Sequence, residues 1–138
     1  DVTVVDAGTG LDSVLRAALT RASRLVAVTT PDPAALADSY ALIKILSLEC
    51  PALPVDVLVN RTIDDGEGET AWRRLDDAAG RFLGRTLGWL GSVPEDEQIV
   101  RAVRESRSLL AMDARVAPLS ERLLESLDTA SLHGGSGA

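Results

Sequence analysis

The sequence predicts an α/β fold, a mostly parallel sheet flanked by helices. Short apolar runs rich in β-branched residues alternate with longer stretches whose apolar residues recur at helical spacing. Glycine and proline fall chiefly between these runs, where they punctuate turns. Strands separated by helices pair in parallel through right-handed crossovers.

The first predicted strand is Val2, Val4 and Val5, closed by Asp6. A turn with Gly8 and Gly10 follows, then a helix over 11–22 with Leu11, Leu15, Ala18, Leu19 and Ala22 on one face. The second strand is expected over 24–30, stopped by Pro31 and Pro33 with Asp32 between them in a loop. Pro33 also suits the first turn of the next helix, expected to run to about Leu48 on a core stripe of Leu36, Tyr40, Ile43 and Leu46. The third strand is expected over 55–60. Residues 61–69, polar and glycine-containing, read as a mobile surface loop. A helix carrying Trp72, Leu75, Ala79, Phe82 and Leu83 inward follows, with Gly84 as its stop. The fourth strand is expected over 87–93, ended by Pro94. Glu95, Asp96 and Glu97 then open a helix with Ile99, Val100 and Val103 inward. A last amphipathic helix starts at Pro118. One domain over residues 1–131 and a flexible tail over 132–138, ending Gly-Gly-Ser-Gly-Ala, complete the reading.

The 138 residues suffice for one domain with its own core, and 46% hydrophobic with 25% charged residues is an ordinary globular balance. A net charge of −7 argues against broad electrostatic capture of nucleic acid or acidic lipid. Cys50 is the sole cysteine, which excludes an internal disulfide and a thiolate metal cluster. His133 lies in the tail, so a Ser-His-Asp triad has no anchored base. The acidic run Asp64-Asp65-Gly66-Glu67 lacks the EF-hand ligand pattern and reads as solvated loop charge. The chain opens directly inside an apolar strand, so residues before Asp1 are expected in the parent protein.

Parallel pairing lines up the carboxyl ends of the strands at one rim, where open α/β sheets bind ligands. The rim so predicted gathers Asp6, Gly8 and Gly10, then Thr29-Thr30-Pro31, Asn60-Arg61, and Pro94-Glu95-Asp96. Glycines let backbone N–H groups approach an anion, and a carboxylate can hold a metal ion through water. Plain strand-end polarity, with a capping Asp6 and a turn-forming Asn60, explains the same residues without a ligand. Gly8-Thr9-Gly10 also matches half a dinucleotide fingerprint, but the third glycine position is Ser13.

Together these segments resemble the MinD/ParA family of deviant Walker ATPases, and within it the flagellar-number regulators of the FlhG (FleN, YlxH) group. Val4-Val5-Asp6-Ala7-Gly8-Thr9-Gly10 resembles the Walker B and switch II segment. Thr29-Thr30-Pro31-Asp32-Pro33 with Asp38-Ser39-Tyr40-Ala41-Leu42-Ile43-Lys44 resembles the group's T-T-P-E-P…D-A-Y-A-L-I-K. Val59-Asn60-Arg61 resembles the adenine-contacting V-N-R, and Gly91-Ser92-Val93-Pro94-Glu95-Asp96 with Ala102-Val103 resembles G-x-I-P-x-D…A-V. The resemblance implies ATP and Mg²⁺ as cofactors of the complete protein and a homodimer in the ATP-bound state. By position it makes Asp6 the Mg²⁺ and water-orienting residue, Gly8 and Gly10 the phosphate-sensing turn, and Asn60 the adenine contact with Arg61 beside it. Pro94 and Asp96 belong to the wall on the other side of the base, and Asp38 lies near a dimer or partner surface.

The sequence holds no G-x-x-x-x-G-K-[ST] loop, and Lys44, its only lysine, follows no glycine loop. The chain is therefore expected to be the carboxyl-terminal portion of such an ATPase, inactive alone. The alternatives are a non-catalytic interaction module with the same fold, or a DNA-partitioning ATPase of the ParA type, for which Arg101, Arg104 and Arg107 form only a modest basic cluster. The resemblance implies a cytoplasmic protein, peripheral at the inner membrane face if its last helix binds lipid. That helix has Glu121, Glu125 and Asp128 against Arg122, a poor match to anionic lipid, and is expected to pack on the sheet.

Overall fold

The computed structural model describes residues 3–8 and 13–96, with the separate positions 101, 104, 105, 121 and 125; the side chains of 13–15 are not among them. In chain order the elements are α1 (Ser13–Leu19), β1 (Leu25–Thr29), α2 (Pro33–Glu49), β2 (Val55–Thr62), α3 (Asp65–Leu83) and β3 (Gly88–Pro94). Among the described residues the sheet has three strands in the order β1-β2-β3, all parallel. The α/β reading with a parallel sheet and flanking helices holds.

The core forms where the alternation of β1 and β2 meets the helices. Ala27, Val55, Val57 and Val59 point to one face and pack against Leu36 and Ile43 of α2 and Ala71, Leu75 and Ala79 of α3. Two right-handed crossovers stepping the same way across a sheet put both helices on the same side. The Trp72 indole extends this core, donating from Nε1 to the Leu87 carbonyl at 3.1 Å and lying 5.5 Å from Trp89, ring centre to ring centre. At the amino ends of the strands, Arg24 forms an ion pair with Asp56, both largely buried. Arg85 there bonds Ser47 and the Leu53 carbonyl.

Asp32 caps α2, its carboxylate accepting from the Ala34 and Ala35 amides at 2.8 and 3.2 Å, with Pro33 at the first helical position. Leu36, Ile43 and Leu46 are buried as expected, and Tyr40 is half-buried. Gly84 ends α3 at φ 65°, a left-handed conformation that glycine takes without strain.

Several expectations are corrected. Residues 3–8 form no strand; Val4 is 79% and Val5 58% exposed. An extended segment becomes a strand only beside a neighbour that offers N–H and C=O groups, and α1 does not bring 3–8 alongside β1. The helix expected over 11–22 is described only as Ser13–Leu19. The expected mobile loop over 61–69 is instead the end of β2 and the first turns of α3. A reciprocal cap makes it so: the Glu67 amide donates to Asp64 Oδ1 at 2.7 Å, and the Ile63 amide donates to Glu67 Oε2 at 2.6 Å. Phe82 is 69% exposed rather than inward, because Leu83 takes the seat against the core. The helices expected after Glu95 and after Pro118 and the tail lie outside the described residues, apart from the separate positions given above.

Candidate functional site

The rim is built by β2 and β3. Register pairs Val59 with Ser92, Asn60 with Val93 and Thr62 with Pro94, with an irregularity between Asn60 and Thr62. The extra residue is Arg61, whose φ of 59° lies in the left-handed region that side-chain-bearing residues seldom occupy. The Glu95 amide donates to the Thr62 carbonyl at 2.8 Å, so the chain leaving β3 stays fastened to the end of β2. Across this junction Arg61 Nε and Nη2 both donate to Glu95 Oε1, at 3.2 and 2.8 Å.

Asn60 is half-buried at the same place. Its Oδ1 accepts from the Arg61 amide at 2.9 Å. An N–H can be received only by the oxygen end of a carboxamide, so this contact fixes which way the amide faces. Nδ2 is then the donor end of the group. A carboxamide so oriented offers a donor at Nδ2 and a second lone pair at Oδ1, a pairing suited to the edge of a purine.

Behind the rim the start of α3 is pressed against the ends of both strands. Ser92 Oγ donates to Asp65 Oδ1 at 2.8 Å. Gly68 sits so close that an added Cβ would stand 2.6 Å from Ser92 Cβ and 3.2 Å from Thr62 Cγ2. Thr62 is fully buried, and its hydroxyl has no hydrogen-bond partner.

The structure thus groups Asn60, Arg61, Pro94 and Glu95 at one corner, with Asp96 next in the chain. Asp6 and Gly8 are not brought to it among the described residues. Asp6 Oδ1 accepts from the Gly8 amide at 3.0 Å, and both residues are exposed. Between them Ala7 packs against Leu19, Leu46 and Leu53, a cluster toward the amino ends of β1 and β2, far from Asn60. Gly10 lies outside the described residues. No group of three or more His, Cys, Asp or Glu residues able to hold a metal ion occurs among the described residues. A lone Asp6 carboxylate, already engaged by an amide, does not make a Mg²⁺ site by itself.

The sequence places Glu95 in the rim segment Pro94-Glu95-Asp96 and at the start of a following helix, but gives it no partner. The signal that could have found it is its sign: a carboxylate at one strand end opposite a guanidinium at the neighbouring one. A hollow of about 280 Å³ lined by Leu19, Ala22, Ser23 and the 50–54 turn lies toward the amino ends of the strands, away from the rim. No helix among the described residues is long and apolar enough to cross a membrane.

No family profile matches the chain. Three curated proteins do. Antiactivator FleN of Pseudomonas aeruginosa is 30% identical over 109 residues, 79% of this chain and 39% of the relative. Flagellum site-determining protein YlxH of Helicobacter pylori is 34% identical over 110 residues, 79% of this chain and 37% of the relative. The chloroplastic septum site-determining protein minD homolog of Arabidopsis thaliana is 33% identical over 112 residues, 80% of this chain and 32% of the relative. The chain therefore spans between about a third and two-fifths of the length of these relatives.

Proposed function

The chain belongs to the MinD/ParA family, and from that membership we propose that it is the carboxyl-terminal, base-side portion of an ATP-dependent switch that positions cellular structures such as flagella. The observation that carries the reading is the Asn60 carboxamide, oriented by the Arg61 amide at the rim between β2 and β3. Asn60 contacts the adenine edge, and Pro94 with Asp96 forms the wall beside the base. Phosphate binding falls to a glycine-rich loop outside this chain, because none occurs in its sequence. Asp6 and the Gly8–Gly10 turn serve Mg²⁺ and the γ-phosphate only once residues 3–8 lie at the rim. The exposed Val4 and Val5, the edge position of β1 among the described residues, and the 60% exposure of Val28 on the sheet face opposite Ala27 favour their joining a larger sheet. In the complete protein ATP closes a homodimer in the cytoplasm, and hydrolysis releases it from a partner or from the inner membrane face.

The test is a titration of fluorescent ATP against this chain and against the longer protein carrying the phosphate loop. The expected result is tight binding only in the longer protein, weakened about tenfold by Asn60→Ala, a loss equivalent to about 1.4 kcal/mol. Unchanged affinity in that variant removes Asn60 from the site.

A second reading has its own support. Without a phosphate loop, and with Asp6 away from the rim, the chain as it stands fits a non-catalytic interaction module. A longer protein that binds no ATP at all selects this reading.

A further inference from the structure

Arg61 and Glu95 raise a question that packing does not answer. Their side chains are 65% and 59% exposed, so the pair adds little to the stability of the fold. Yet Arg61 holds a left-handed backbone conformation that costs free energy in any residue with a side chain, and two of its nitrogens converge on one Glu95 oxygen. Glu95 is itself anchored through its backbone to Thr62. Asn60 Oδ1 depends on where the Arg61 N–H points, and that direction follows from the Arg61 backbone.

We propose that Glu95 is a positioning residue for the base site: by gripping the Arg61 guanidinium it holds Arg61 in its left-handed turn, and that turn orients the Asn60 carboxamide. The proposal rests on the nucleotide reading only in what the oriented amide is for. The orientation itself belongs to the ligand-free chain. The links are sequential, from carboxylate to guanidinium to backbone amide to carboxamide. Glu95 acts without touching the base.

Substitution by glycine at position 61 isolates the first link. Glycine enters the left-handed region freely and keeps the N–H that Asn60 accepts, but has no guanidinium for Glu95 to hold. If Glu95 works through Arg61, it matters in the wild-type chain and ceases to matter in Arg61→Gly.

The experiment records the Asn60 side-chain NH₂ resonances by NMR in the 138-residue chain and in Glu95→Gln, Arg61→Gly and the double variant. The expected result is a shift of the Asn60 pair toward solvent-averaged values in Glu95→Gln, and no further shift when Glu95→Gln is added to Arg61→Gly. The thermal midpoint of Glu95→Gln stays with that of the wild-type chain, because only an exposed pair is lost, whereas Arg61→Gly and the double variant rise together as glycine relieves the left-handed strain. Asn60 resonances unmoved in Glu95→Gln overturn the proposal. So does an equal movement in the Arg61→Gly background, which would mean that Glu95 acts on Asn60 by another route. In the longer protein the same Glu95→Gln change is expected to weaken ATP binding about two- to fivefold, the scale of an exposed ion pair. If ATP leaves the wild-type Asn60 resonances unmoved there, the nucleotide reading falls, while the ligand-free comparison still decides whether Glu95 positions Asn60.

Discussion

The sheet with α2 and α3, and the segment 3–8 ahead of α1, contain similar residues in opposite circumstances. Val55, Val57 and Val59 of β2 are at most 3% exposed, whereas Val4 and Val5 are 79% and 58% exposed. The chemistry of valine is the same in both. What differs is the neighbour: β2 is paired on both sides, and residues 3–8 are paired on neither. The same contrast divides the candidate site. Its β2–β3 corner, Asn60 to Pro94, is held by strand pairing within the chain, whereas among the described residues Asp6 is held by a turn bond to Gly8 and is not part of a strand. A strand's apolar pattern states what it would bury, and only a partner lets it do so.

The comparison breaks most visibly through the buried charges under the sheet. Asp56→Ala strands the Arg24 guanidinium, which is 15% exposed and already has its Nε without a hydrogen bond. Urea unfolding is expected to show a loss of about 3–5 kcal/mol. Ile43→Ala, at a fully buried α2 position, is expected to cost about 2–5 kcal/mol through lost transfer free energy and a cavity. A cost under about 1 kcal/mol for either would mean that the packing of this body is not what holds it. Gly68→Ala comes next. Its new methyl must push Ser92 or the start of α3 aside, and a loss of about 1–3 kcal/mol is expected. The Asn60 resonances should shift with it, because Ser92 pairs one rung from Asn60.

Much of the paired body was legible in the sequence. β1 and β2 begin within a residue of their predicted starts because the β-branched runs are dense and proline bounds them. α2 begins where Asp32-Pro33 says a helix should. The stretch 61–69 was misread because its glycines look like loop residues, yet Asp64 and Glu67 stand at the spacing of a reciprocal cap. Gly68 is there for closeness to Ser92 and not for flexibility. At the site, Asn60 stood out by its neighbours in sequence. The left-handed Arg61 and its hold on Glu95 did not, because both follow from how β2 and β3 align across a separation of 34 residues. The pattern around Asp6 is that of a strand, and a strand's position is set by a partner that the pattern cannot name.

The smallest expected effect sharpens the comparison furthest. Val5→Ser replaces an apolar side chain that is already 58% exposed and lies in no strand. In this chain the urea midpoint should move by less than the equivalent of about 0.5 kcal/mol. In the longer protein, where the proposed function puts residues 3–8 into the sheet, the same substitution should cost about 1.5–3 kcal/mol, the value of burying a valine. The two measurements together separate a segment that is exposed by nature from one that lacks its neighbour. A large loss in the 138-residue chain would show that residues 3–8 already contribute to its core, and the contrast with β2 would dissolve. Equal, negligible losses in both proteins would leave Asp6 outside the sheet in each, and with it the assignment of Asp6 to Mg²⁺ would be lost.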